Sequence, residues 1–97
     1  MNEINQTEEF AAWLQNLRDN AGKAKIIGRL KRASHGNFGD VKHFDGISEM
    51  RIDFGPGYRV YYAKEGKTVY LLLMGGDKST QSQDIKEALK LWKRLKP

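Results

Sequence analysis

Apolar positions recur every three or four residues along the first part of the chain and every second residue along its middle. Phe10, Trp13, Leu14 and Leu17 follow the i, i+3, i+4, i+7 spacing of one buried helix face. The pattern predicts a helix from Thr7 to about Asn20, with Thr7 as N-cap. Glu8 and Glu9 fall in its first turn, where the helix dipole favours negative charge. The periodicity breaks around Gly22 and restarts with Ile26, Ile27, Leu30 and Ala33 as the apolar side of a second helix. Lys23, Lys25, Arg29, Lys31 and Arg32 occupy its other side. So short a connection predicts an antiparallel helical hairpin. The turn-forming stretch SHGNFGD ends the helical part. Ahead of it all, MNEINQ is compatible with a short edge strand.

From Val41 the period changes to two. Met50, Ile52 and Phe54 alternate with Glu49, Arg51 and Asp53, and Tyr58, Val60 and Tyr62 alternate with Arg59, Tyr61 and Ala63. GPG makes the turn between these strands, and EGK, Glu65 to Lys67, makes the next one. TVYLLLM is apolar on both sides, as a strand covered on both faces would be. GGDKSTQSQ reads as a loop with Ser79 or Thr80 as helix cap, before a last helix from about Ser82 to Leu95. Ile85, Ala88, Leu89, Trp92 and Leu95 form the apolar side of that helix. The expectation is an α+β fold in a single domain, residues 1–97. An N-terminal helical hairpin packs on a three- to four-stranded antiparallel sheet, followed by a C-terminal helix.

Composition narrows the chemistry. There is no cysteine, which removes disulfides and thiolates and suits a reducing cytoplasm. The opening MNEINQTEEF is too polar for a signal peptide, and TVYLLLMGG is far shorter than the roughly 20 apolar residues of a membrane span. A net charge of +5, from 17 Lys and Arg against 12 Asp and Glu, draws a domain this small toward phosphate polymers, anionic membranes or an acidic partner. The alternation places Met50, Ile52 and Phe54 under the helical hairpin, so Arg51, Arg59 and Tyr61 are expected on one open face. Asp77, Lys78, Thr80 and Gln81 would lie at its edge. Arginine forks and a lysine suit a phosphodiester. Against that, Glu49 and Asp53 could simply neutralise Arg51 in a solvated ion-pair set. GDK before a helix could form an anion nest from its backbone amides. His35 and His43 match no metal-ligand spacing, so neither a metal nor a cofactor is expected.

The motifs RIDFGPGYRVYY and GGDKSTQ, with their separation and flanking helices, resemble the RelE/ParE toxin superfamily. They are closest to its HigB-like branch of addiction module killer proteins, and the resemblance runs from TEEFAAWL to IKEALKLW. It implies the toxin of a type II toxin–antitoxin system, held inactive by a cognate helix-turn-helix antitoxin. It further implies a cytoplasmic mRNA endonuclease that works on the translating ribosome and inhibits translation. In such enzymes the 2′-OH before the scissile phosphate is the nucleophile, which calls for a base, cations for the phosphorus charge and an acid.

By position in the motifs, Arg51 matches a basic residue of the catalytic strand, Arg59 the arginine of the GYR element, and Lys78 a later basic residue. Glu49 stands where RelE has another basic residue, and Asp84 near the place of an acting tyrosine. Asp84, His43, Tyr61 and Lys78 all remain open as acid or base. Two other functions compete: ParE-like inhibition of DNA gyrase by binding, and RNA binding without cleavage.

Overall fold

The computed structural model describes residues 1–96. In chain order the elements are β1 (Glu3–Gln6), α1 (Glu8–Asn16), α2 (Asn20–Ser34), β2 (Val41–His43), β3 (Ser48–Ile52), β4 (Tyr58–Lys64), β5 (Val69–Asp77) and α3 (Gln81–Leu95). A 3₁₀ turn, Lys78–Thr80, joins β5 to α3. The strands form one sheet in the order β1-β5-β4-β3-β2. Its pairings are antiparallel except that of β1, which runs parallel to β5 with Glu3 opposite Val69 and Gln6 opposite Leu72. The fold is therefore α+β, but the sheet has five strands and is mixed, not three- to four-stranded and antiparallel. β1 was legible as an edge strand, while its direction was set by where the chain returns after four further strands. β2 was not foreseen, because three residues carry too little alternation to read.

The helix boundaries follow local chemistry. Thr7 caps α1 by accepting a hydrogen bond from Phe10 N, and its own hydroxyl donates to Leu73 O at 2.6 Å. α1 ends at Asn16, earlier than the apolar spacing suggests, because Asp19 caps α2 by accepting from Gly22 N at 2.9 Å. Gly22 thus opens the second helix and does not separate the two. A Cβ there would lie 2.5 Å from the Tyr58 ring, so the glycine admits a close approach between α2 and β4.

α1 packs against β5, and α2 against β1 and β3. Together they bury Phe10, Ile26, Ala33, Met50, Ile52, Val60, Tyr62 and Leu72 on one sheet face. That matches the face assigned from the alternation. Ile27 departs from it and is 49% exposed.

The opposite face is covered too. α3 lies across β4 and β5 and buries Ile47, Tyr61, Ala63, Leu73, Ala88 and Leu91 in a second core. Leu91 turns toward the sheet, whereas the expected Leu95 is 47% exposed. Strand β5 is sandwiched between α1 and α3, which explains its unbroken apolar run. A bulge adjusts it: Tyr61 opposes Met74 while Tyr62 opposes Leu72, leaving Leu73 as the extra residue. Gly75 and Gly76 then continue the strand beyond the predicted loop boundary. A side chain on Gly75 would enter the Trp13 ring, and one on Gly76 would enter the Asp84 carboxylate. Both glycines are required for helices to close on either face.

Candidate phosphate-binding cleft

α3 leaves one end of its face uncovered, and that end is a cleft of about 400 Å³. Arg51, Arg59 and Lys78 line it, together with Asp40, Asp53 and the Gly55–Pro56–Gly57 turn. The register of β3 and β4 places Arg51 directly opposite Arg59. Like charges at facing positions are destabilising by themselves. Each arginine has its own carboxylate. Arg51 Nη2 donates to Asp40 Oδ1 at 3.0 Å, and this hydrogen bond, ahead of the Asp40 charge, raises the Arg51 pKa further above its ordinary value. Both partners are solvated, so their pairing contributes little to stability.

Arg59 is held differently. Its side chain is only 11% exposed, and its Nε lies 3.8 Å from Glu49 Oε2. Glu49 is completely buried. The same Oε2 accepts from Tyr61 Oη at 3.1 Å and from Gln81 Nε2 at 2.8 Å. Arg59 Nη1 reaches the carbonyls of Tyr58 and Gly57 only at 3.4 and 3.5 Å, so its terminal nitrogens keep donor capacity toward the cleft.

The turn supplies the remaining geometry. Gly57 has φ 80°, which a side chain would strain. A Cβ on it would stand 3.4 Å from Lys78 Cβ and 3.6 Å from Arg59 Nη1, narrowing the space between the two cations.

The structure separates the sequence-derived candidates. Arg51, Arg59 and Lys78 come together. Tyr61 does not reach an open surface: it is fully buried under α3, and burial, with the Glu49 charge and hydrogen bond, pushes its hydroxyl far above the ordinary tyrosine range. Asp84 lies over Gly76, the β5 partner of Arg59, and accepts from Thr80 Oγ1. Burial raises its pKa, and it does not line the cleft. His43 is elsewhere. It pairs with Ser48, its Nδ1 2.7 Å from the hydroxyl, beside a hollow of about 590 Å³ lined by Phe38, Tyr62, Lys64 and Tyr70. That hollow is the larger of the two, but Lys64 is its one Lys or Arg and its wall is largely aromatic, Phe38 packing against Tyr62 and Tyr70 with ring centroids 5.3 and 4.8 Å away. The anion nest does not form either, because Asp77 Oδ1 already accepts from Ser79 N at 2.8 Å.

Comparison with models of known protein families finds no match. Over 94 residues the chain is 50% identical to an uncharacterized protein of Haemophilus influenzae, a match spanning 96% of this chain and 95% of that one. The two belong to one family. Their alignment runs nearly end to end, so it takes in the strands, turn and helix that build the cleft.

Two contributors escaped the sequence reading. Arg29 donates to Arg51 O at 2.6 Å and Phe38 O at 2.8 Å, fastening α2 to the base of the cleft, and burial lowers its pKa. A signal was present: Ile26, Arg29 and Ala33 share the i, i+3, i+7 stripe of α2. Asp40 had none, since its partner Arg51 is eleven residues away. Among the described residues no group of three or more His, Asp or Glu is placed to hold a metal ion, and no helix is long and apolar enough to cross a membrane.

Proposed function

We propose that this chain is the toxin of a type II toxin–antitoxin pair, a RelE-like mRNA endonuclease acting in the cytoplasm on the ribosome and restrained by a helix-turn-helix antitoxin. One observation carries the reading. Arg51 and Arg59 face each other across two strands with Lys78 beside them, three cations on one cleft in which the Arg59 Nη atoms keep donor capacity for an anion. The motif resemblance supplies the class of anion, an mRNA phosphodiester.

In this reading the upstream 2′ oxygen attacks phosphorus and the bond to the 5′ oxygen breaks. A 2′,3′-cyclic phosphate and a 5′-hydroxyl result. Arg51 and Arg59 hold the non-bridging oxygens as their charge grows, and Lys78 donates a proton to the leaving oxygen. The 2′-hydroxyl gives up its proton to Asp53, the cleft carboxylate that remains once Asp40 pairs with Arg51.

A second reading, phosphate binding without cleavage, is favoured by the engagement of Asp40 with Arg51, which weakens it as a base. Gyrase inhibition by binding is a separate reading that likewise predicts no cleavage. Induced expression of the native chain and of Arg59→Ala, with primer extension on a reporter mRNA, decides between them. The expected result is growth arrest with new mRNA ends, both lost in the variant. Arrest without new ends overturns cleavage in favour of a binding target.

A further inference from the structure

We propose that Glu49 is a positioning residue that holds the Arg59 guanidinium in the cleft and links it to the start of α3; its role in turnover rests on the reading of the cleft as a phosphodiester site. Glu49 is buried completely, does not line the cleft and offers no path to a substrate proton. It is therefore not the base. Its Oε2 is anchored from two elements, by the Tyr61 hydroxyl of β4 and the Gln81 amide at the first residue of α3. Its Oε1 is buried with no donor among the described residues.

A carboxylate so deeply desolvated needs a countercharge. The cation within 4 Å is Arg59, whose Nε is buried without a hydrogen bond and 3.8 Å away. The pull acts on the Nε edge of the guanidinium and leaves the Nη atoms for an anion. Glu49 also does for Arg59 what Asp40 does for Arg51, offsetting one of two like charges that face each other. The Gln81 bond makes the first residue of α3 part of the support.

The test uses the full chain, labelled with ¹⁵N. Arg59→Lys identifies the Arg59 Nε–H resonance by its loss. In the native protein that proton exchanges slowly with water; in Glu49→Gln the resonance shifts and its exchange speeds up at least about tenfold, with Arg51 unmoved. Cleavage of a ribosome-bound mRNA, or binding of an oligoribonucleotide, falls by about tenfold to a hundredfold, the scale on which a small misplacement acts. In an Arg59→Ala background the same substitution has no further effect.

An unchanged resonance, or an equal loss in both backgrounds, overturns the proposal. Should Glu49→Gln fail to fold, Gln81→Met removes one anchor at a partly exposed site and shifts the Arg59 resonance in the same direction; no shift there overturns it too. A native chain that neither cuts nor binds RNA sinks the phosphodiester reading alone, since the resonance still reports whether Glu49 holds Arg59.

Discussion

At the scale of single residues, the cleft depends on groups that never touch its contents. Arg29 falls among five cations on the polar side of the second helix in the sequence pattern. Its hydrogen bonds to the carbonyls of Arg51 and Phe38 make it a clamp between α2, the loop before β2, and β3. Replacing it with methionine keeps much of the apolar stem but leaves both carbonyls unpartnered. The expected loss is about 2–3 kcal/mol, from unmade bonds at partly buried acceptors, measured as a lower urea midpoint with unchanged slope. A loss under about 0.5 kcal/mol would mean that water takes over both carbonyls. Glu49 carries the same lesson. Alternation placed it on the face of Arg51 and Arg59, correctly, but could not tell that this part of the face is dry.

Among the elements, α3 has the largest consequences. Its first turn carries Asp84, which sits against Gly76 and whose pKa is raised chiefly by burial. A carboxyl whose folded pKa lies above its unfolded value favours folding when protonated, below the unfolded pKa. That contribution is lost as pH rises through the folded pKa. Asp84→Asn keeps an acceptor for the Thr80 hydroxyl and removes the buried charge. The variant should therefore melt at a higher temperature than the native chain at pH 7 and at about the same temperature near pH 3. Equal melting temperatures at pH 7 would show that the carboxylate is solvated. Asp19 at the start of α2 has the opposite sign. Bonds from Gly22 N and the Tyr58 hydroxyl lower its pKa, so its support is present at neutral pH and fades in acid.

For the molecule as a whole, the relevant quantity is where the charge of +5 gathers. Cations are spread over helix α2, helix α3 and the cleft; hollows along the helices hold two Lys or Arg each, whereas Arg51, Arg59 and Lys78 bring three to one hollow. If these three make the phosphate contacts, single-stranded RNA binding should weaken with salt at a log–log slope of about −2. Arg59→Ala should reduce that slope by about 0.7. A much steeper native slope, untouched by the substitution, would put the contacts on the helix faces instead. Titration of a labelled oligoribonucleotide at several salt concentrations gives both values.

Local rules determined a good deal from the sequence alone. The Thr7 cap, the two strand alternations, the GPG turn and the shared face of Arg51 and Arg59 all follow from short-range geometry, and all are present. So does the partition of Tyr58, Val60 and Tyr62 from Arg59, Tyr61 and Ala63. What the tertiary structure alone decided is coverage. Periodicity states which side chains share a face but not whether a distant helix will lie on it. α3 closes over Tyr61 and Glu49 and stops short of Arg51 and Arg59, turning an expected open surface into a small cleft with a dry support. His43 fails to join that cleft for a related reason. It follows the parity of Ser48 and Tyr62 onto the opposite face, a placement set by the register of three strands.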